Sequence, residues 1–128
     1  MIDLKKYKEF VDGVTSTTTK LPEVFADRIK NTKNVNFSRL ITAGIGLSGE
    51  IGEFNEHVKK LCFHEKPMNE EMADKLKSEL GDVMWYWMQA CLALDLDPNE
   101  VIEGNFSKLK ERHPNGNFNP YYSSDSVE

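Results

Sequence analysis

The segment 47–54, Leu-Ser-Gly-Glu-Ile-Gly-Glu-Phe, recurs in altered form as the segment 76–83, Leu-Lys-Ser-Glu-Leu-Gly-Asp-Val. Each copy carries two acids three residues apart, and on an α-helix such positions lie on one face. The acids are Glu50, Glu53, Glu79 and Asp82. Carboxylates that are gathered together repel one another unless a cation neutralises them. The repeat therefore predicts two facing helices that hold one or more divalent cations.

Helical geometry places these acids beside apolar stripes. At about 100° per residue, the first stripe consists of Leu47, Ile51, Phe54, Val58 and Leu61. The second stripe consists of Leu76, Leu80, Val83, Trp87, Ala90 and Leu94. A solvated face normally lies opposite the apolar stripe and mixes charge signs. Acids along the edge of both stripes therefore indicate a site and not a solvated surface.

A glycine interrupts each repeat at the same point, at Gly52 and at Gly81. Glycine inside a helix costs about 1 kcal/mol relative to alanine. We therefore expect a backbone or a ligand to approach the helices closely at both positions.

Composition and charge limit the classes of protein and partner. The chain of 128 residues, with 39% hydrophobic and 29% charged residues, suits one globular domain. We expect that domain over residues 1–113 and a tail or an arm onto a neighbour over residues 114–128.

The net charge of −5 argues against a nucleic-acid partner. Because no membrane-length apolar run or signal peptide is visible, we expect a cytoplasmic protein without a membrane partner. Cys62 and Cys91 are expected to be reduced and buried.

Caps and helix breakers predict an all-α helical bundle. No convincing strand pattern and no glycine-rich nucleotide loop occurs in the sequence. We expect short helices over residues 3–11 and 21–31, the second with a proline in its first turn. The polar, β-branched run at residues 15–19 resists helix formation and is predicted to be a loop.

Two long helices are predicted to carry the acids. The first is capped by Asn36 or Ser38 and ends near residue 63, and the second follows a cap at Asn69 and ends near residue 94. A last helix begins with Asp97 as its cap and Pro98 in its first turn, and it ends near residue 112.

The last helix carries the opposite charge. Asn105, Lys108 and Arg112 are spaced i, i+3 and i+7, so they lie on one face. Ammonium and guanidinium groups suit phosphate oxygens, which arginine can bind through two hydrogen bonds. Lys60, near the acid edge of the first long helix, is a further cation that can touch a phosphate. The alternative is a solvated face near a helix end. Together with the four acids, however, the pattern favours a site in which metal ions and cationic side chains bind a polyphosphate.

Three other features have open interpretations. His57 lies one turn after Glu53, where it either supports the acids or is simply a partly exposed histidine. Trp85 serves either a subunit interface or stacking on a base. Four apolar residues of the second long helix fall outside its main stripe and predict contact between identical subunits; they are Met84, Met88, Cys91 and Leu92.

These motifs resemble the signature of the MazG-type all-α nucleoside triphosphate pyrophosphohydrolases. The segments that carry the resemblance are 46–54 and 79–86, with Asn105-x-x-Lys108-Leu109-x-x-Arg112 similar to the phosphate-binding element of that family. The resemblance spans about residues 43–112 and is closest to the short, single-domain MazG-like proteins of phages and bacteria. There is one departure. Gly49 stands where many relatives have a further glutamate, which leaves open how many metals bind and which acid serves as the base.

The resemblance implies a reaction and a site. Family members hydrolyse (deoxy)nucleoside triphosphates to the monophosphate and pyrophosphate with Mg²⁺ or sometimes Mn²⁺, as homodimers or homotetramers whose substrate lies where subunits meet. In this chain the metal ligands would be Glu50, Glu53, Glu79 and Asp82, one of which would also activate the attacking water. Lys108 and Arg112 would hold phosphate oxygens, Asn105 the sugar or a phosphate, and Tyr86 the nucleoside. The expected location is the cytoplasm of a bacterium or of a phage-infected host.

Two other classes of protein are compatible with parts of the pattern. A di-iron carboxylate bundle needs Glu-x-x-His on paired helices, whereas Glu53 and His57 are four apart and the second repeat has no histidine. A non-catalytic adaptor would bind a partner through its helices, but it gives no reason for duplicated acids at stripe edges.

Overall fold

The chain forms six helices in a computed structural model that describes residues 1–121. They are α1 Leu4–Gly13, α2 Thr17–Lys20, α3 Pro22–Asn31, α4 Phe37–Phe63, α5 Glu70–Ala93 and α6 Pro98–Arg112. Residues 1–121 contain no strand, and the predicted all-α class is confirmed. No helix in this range is long and apolar enough to cross a membrane. The predicted tail or arm at 114–128 lies partly outside the described residues.

Side-chain caps fix where the three longer helices begin. The side chain of Asn36 accepts a hydrogen bond from the Arg39 amide at 3.1 Å, so Asn36 and not Ser38 caps α4. At the start of α5, Asn69 accepts from the Met72 amide at 2.9 Å. Asp97 caps α6 in the same way. Each cap satisfies an amide that has no partner inside its helix.

The predicted loop holds for residues 15 and 16 but is wrong for residues 17–19, because a four-residue helix, α2, begins at Thr17. Ser16 caps this helix by accepting from the Thr19 amide at 3.2 Å. The Lys20 ammonium donates to the Asp12 carbonyl at 2.8 Å, and α2 packs against α3. A side-chain cap and contacts with neighbouring segments of the chain thus outweigh the low helix propensity of threonine.

Helices α4 and α5 form an antiparallel hairpin, the main packing unit of the described chain. The Asn36 amide donates to the Ala93 carbonyl at 2.9 Å, which ties the start of α4 to the end of α5. The buried apolar residues are few and mostly small: Ala43, Met72, Cys91 and Ala93. One chain therefore encloses only a narrow core.

The contact face of the hairpin is rotated toward the acids relative to the predicted stripes. Ile51 and Leu80, which hold equivalent positions in the two repeats, are 49% and 54% exposed. Glu50 and Glu79, which precede them, are half-buried. The placement of Ile51 and Leu80 in the apolar stripes is therefore wrong. The same holds for Leu94, which is exposed just beyond the end of α5. Glu50 and Glu79 lie within the interhelical face, and Ile51 and Leu80 lie on the outside.

The two cysteines have different environments. Both are free thiols, but Cys91 is buried and Cys62 is exposed. The prediction of a buried thiol is therefore wrong for Cys62, which lies in the last turn of α4. Cys91 belongs to the core. It therefore does not contribute to the outer apolar surface that was predicted to contact an identical subunit.

Candidate carboxylate site

The hairpin brings three of the four predicted acids together. Carboxylate oxygens of Glu50, Glu53 and Glu79 all lie within 4.8 Å of one another. Glu50 and Glu53 project from α4 one turn apart, and Glu79 faces them from α5. The pairing of antiparallel helices at their middles places the two repeats at the same level, which is why the acids of both meet.

The electrostatics of Glu50 reflect this crowding. A hydrogen bond with the Glu79 carboxyl, partial burial and the negative charges of Glu53, Asp82 and Glu79 raise the pKa of Glu50 from its ordinary 4.5 to about 7. The Oε2 atoms of Glu50 and Glu79 are buried and receive no hydrogen bond from the described residues. Buried acceptors without a donor are costly. A proton shared between the two carboxyls relieves this cost, and so would a divalent cation.

The donor set fits a hard divalent cation. Three converging carboxylates supply oxygen ligands of the kind that Mg²⁺ and Mn²⁺ prefer. Asp82 is exposed and stands outside the closest group, but its charge acts on Glu50, so it borders the cluster. Its role as a fourth ligand stays a prediction.

His57 contacts the cluster across the hairpin. Its Nε2 atom lies 3.5 Å from Glu79 Oε1, and both side chains are about 15% exposed, at 16% and 15%. A helical wheel of α4 places His57 on the same edge as Glu50 and Glu53, but it cannot indicate a contact with α5. The structure favours the interpretation that His57 supports the acids over that of a partly exposed histidine.

Tyr86 lies against the backbone of α4 at Gly46. A Cβ atom on residue 46 would collide with three atoms of the Tyr86 ring. The ring of Trp85 meets that of Tyr86 edge to face, with centroids 4.9 Å apart. Tyr86 lies one turn beyond Asp82 on α5, and this places an aromatic surface on one side of the carboxylates.

Gly52 and Gly81 do not meet another part of the chain. Nothing lies within 4 Å of a Cβ built on either residue. The expected close approach of a backbone is therefore wrong within one subunit. Both glycines lie on the outer surface of the hairpin, where a second subunit can reach them.

The predicted cations occupy two different places. Lys60 lines a cavity beside His57, at the end of the hairpin where α4 meets the loop to α5. Asn105, Lys108 and Arg112 lie on α6, which makes at most slight contact with any other helix of the described chain. Lys60 therefore lies beside His57 at the loop end of the hairpin, whereas α6, with its predicted phosphate-binding face, makes at most slight backbone contact with the hairpin.

A helical hairpin that gathers carboxylates between its two helices defines an all-α class of protein with a prospective metal site. The sequence model of the MazG nucleotide pyrophosphohydrolase domain matches residues 40–117, and the chain belongs to that family. The resemblance seen in the repeats is thereby confirmed.

A phage protein provides a second comparison. The "Gene 37 protein" of Mycobacterium phage L5 is 40% identical to this chain over 73 residues, which is 56% of this chain and 64% of that protein. The match thus spans less than two thirds of the relative's length. No solved structure matches the chain significantly.

Proposed function

We propose that this protein hydrolyses (deoxy)nucleoside triphosphates to nucleoside monophosphates and pyrophosphate with Mg²⁺, or with Mn²⁺ in its place. The observation that carries the proposal is the convergence of Glu50, Glu53 and Glu79 from two helices, in a chain of the MazG nucleotide pyrophosphohydrolase family. The buried Oε2 atoms without donors support a cation there. A non-catalytic adaptor gives no reason to gather half-buried carboxylates at this cost.

The acids and their neighbours have distinct proposed roles. A divalent ion, when bound, would neutralise the carboxylates and the phosphates and acidify a water molecule. Glu50, Glu53, Glu79 and Asp82 would hold it. Glu53 is the most open of the three clustered glutamates, so it has the access to solvent that orienting or deprotonating the attacking water requires.

The remaining substrate contacts follow from position. Tyr86 would face the nucleoside, Lys60 a phosphate, and the α6 residues Asn105, Lys108 and Arg112 phosphate or sugar oxygens. His57 would hold the Glu79 carboxylate in place through the 3.5 Å contact. Because nucleoside triphosphates are cytoplasmic metabolites, the cytoplasmic location expected from the sequence belongs to the same proposal.

We propose that the active form is a homodimer, alone or within a tetramer, assembled through the outer surface of the hairpin. On α5, Gly81, Met84, Met88 and Leu92 follow the spacing i, i+3, i+7 and i+11 and share one exposed face. On α4, Ile41, Ile45 and Gly52 form the equivalent row. A large exposed apolar surface favours a partner, and glycines let a helix of that partner approach closely. A second copy of the chain supplies the same complementary surface.

Product analysis tests the reaction. The purified protein is incubated with a panel of ribo- and deoxyribonucleoside triphosphates in MgCl₂, and nucleotides, pyrophosphate and orthophosphate are quantified. We expect equal amounts of monophosphate and pyrophosphate, with diphosphates as poor substrates. In water enriched in oxygen-18, label in the monophosphate indicates attack at the α phosphorus, and label in pyrophosphate indicates attack at the β phosphorus.

The Glu53→Gln protein, purified in the same way, controls for contaminating enzymes. Orthophosphate released together with a nucleoside diphosphate would contradict the proposal and indicate an ordinary nucleotidase.

A further inference from the structure

A cavity of about 300 Å³ lies at the loop end of the α4–α5 hairpin, next to the carboxylate cluster. Its lining includes three lysines, Lys60, Lys66 and Lys75. In a chain with a net charge of −5, three lysines at one small cavity make the local field positive and favour an anion there.

The backbone turn that follows α4 brings two of these lysines together. The carbonyl of Lys60 accepts hydrogen bonds from the amides of both His64 and Lys66, at 3.2 and 3.1 Å. Glu65, between them, has a φ of 54°, a left-handed conformation that residues other than glycine rarely adopt. This C-terminal turn folds the chain back over the last turn of α4. Lys66 thereby returns to the neighbourhood of Lys60, although the two are six residues apart.

The first turns of α5 complete the cavity and add to its positive character. Asn69, the cap of α5, and Lys75 both line it. The N-terminus of a helix carries a partial positive charge from its backbone dipoles. The N-terminus of α5 therefore adds to the field of the lysines, while Glu70 and Glu71 in its first turn offset part of that charge.

The charges of the lining are only partly compensated. Glu71 is the acid among the lining residues, and it pairs with Lys75 at 3.2 Å. Within the described part of the chain, no carboxylate lies within ion-pair distance of Lys60 or Lys66. The cavity therefore presents two ammonium groups without a direct counter-ion, an arrangement suited to an anion with several charges.

His57 joins the cavity to the carboxylates. It lines the cavity and also contacts Glu79 at 3.5 Å. Along α4, Lys60 lies two turns beyond Glu53, which is about 10 Å of helix axis. Tyr86 lies on the opposite side of the cluster, against Gly46. The hairpin thus has a fixed order of an aromatic surface, a carboxylate cluster and a lysine cavity.

We propose that the lysine cavity binds the terminal phosphates of the substrate and the pyrophosphate that leaves, with the nucleoside on the Tyr86 side. This assignment rests on the proposed function, because it orients a nucleoside triphosphate along the hairpin. It predicts two separable subsites, one for a pyrophosphate unit and one for the nucleoside monophosphate.

The experiment is a calorimetric titration of the full-length protein with inorganic pyrophosphate in MgCl₂. Replacing both Lys60 and Lys66 by methionine should weaken pyrophosphate binding by about tenfold or more, because two charge-assisted contacts are lost. The matched control replaces Lys59 and Lys77, which lie on the same helices but do not line the cavity. This control makes the same change in net charge and should alter binding by less than about twofold.

Three further measurements sharpen the test. Binding of a nucleoside monophosphate should change by less than about twofold in both double variants. Glu71→Gln should strengthen pyrophosphate binding by a few-fold, because it releases Lys75 from its ion pair. Lys66 is an exposed loop residue, so Lys66→Met alone should leave the fold intact. It should cause part of the loss in pyrophosphate binding.

Equal weakening in the two double variants would overturn the assignment, because it would reflect net charge alone. Sulfate that displaced pyrophosphate at equal concentration would also overturn it. If the parent protein bound pyrophosphate through Lys60 and Lys66 but released no pyrophosphate from any nucleotide, the subsite would stand and the proposed reaction would fail.

Discussion

At the scale of single residues, Glu53 provides the most direct test of the metal site. Glu53→Gln keeps the size of the side chain but removes a charged ligand, so turnover should fall by about a hundredfold or more. In EDTA the variant should be at least as stable as the parent, because it relieves repulsion within the cluster. Steady-state kinetics and urea unfolding measure the two effects.

Glu56→Gln is the matched control for this prediction. Glu56 lies on the same helix, half exposed and paired with Lys59 at 2.9 Å. Its loss should change turnover by less than about twofold. Full activity in Glu53→Gln at parental stability would remove the metal site from consideration.

Glu50 gives the metal-free protein a pH-dependent stability. The hydrogen bond with Glu79, partial burial and the charges of Glu53, Asp82 and Glu79 raise the pKa of Glu50 from 4.5 to about 7 in the folded state. The folded state therefore holds a proton that the unfolded state has released. Its stabilising effect is complete below pH 4.5 and is lost as the pH rises through 7.

Urea unfolding in EDTA between pH 4.5 and 8 measures this loss. The free energy of unfolding of the parent should fall with pH across this range more steeply than that of Glu50→Gln, which carries no ionisable group at this position. Identical slopes would show that the two carboxyls do not share a proton.

At the scale of secondary structure, the contact between Gly46 and Tyr86 sets how closely α4 and α5 approach. Gly46→Ala should displace the Tyr86 ring, since the new Cβ overlaps it. We expect a loss of about 1–3 kcal/mol in stability and a higher KM for the nucleotide, because Tyr86 is the proposed nucleoside contact.

The control for this substitution lies two residues earlier. Gly44 is exposed, and nothing lies within 4 Å of a Cβ built on it. Gly44→Ala should therefore stabilise the helix by about 1 kcal/mol and leave KM unchanged. Urea unfolding and steady-state kinetics of the pair separate overlap with Tyr86 from helix propensity, and an unchanged KM in Gly46→Ala would argue against a role for Tyr86 in binding.

The helices and the acids were predictable because both depend on local rules. Caps at Asn36, Asn69 and Asp97 satisfy the first amides of their own helices, and a spacing of three residues places acids on one face whatever the tertiary structure. The short helix α2 was missed because its cap at Ser16 was not recognised.

Features that depend on how two helices rotate against each other were not predictable. The outward positions of Ile51 and Leu80 follow from a contact face that is centred nearer the acids, and one helical wheel cannot fix that rotation. The contact of His57 with Glu79 crosses the hairpin. The return of Lys66 to Lys60 depends on the left-handed conformation of Glu65, a residue type that gives no signal for it.

At the scale of the whole molecule, the position of α6 poses a question about assembly. In one subunit α6 makes at most slight backbone contact with the other described helices. We propose that the cations of α6 serve the carboxylate site of a second subunit. Lys108, which is exposed, is the clearest member to test.

Mixed dimers answer this question. Lys108→Met and Glu53→Gln proteins should each have low activity. Unfolded together and refolded, they should recover about a quarter of parental activity, the share of sites with both halves intact when two-fold dimers pair at random. If α6 acts within its own subunit, no site in the mixture is intact and the activity stays low.

The outer apolar surface of the hairpin is the feature that most strongly favours a second subunit, and Met88 lies within this surface. Met88 is 39% exposed in one subunit, between Met84 and Leu92 on the row that also contains Gly81. Met88→Asp would bury a carboxylate against apolar residues of a second copy, which is strongly unfavourable. The mass from light scattering should therefore fall to that of a monomer, and turnover should fall with it although Met88 touches no proposed ligand. Met68→Asp, the same substitution on the exposed loop between α4 and α5, should leave the mass unchanged. A parent protein that is monomeric and fully active at assay concentrations would contradict the proposed interface, because neither the exposed surface nor α6 would then need a second subunit.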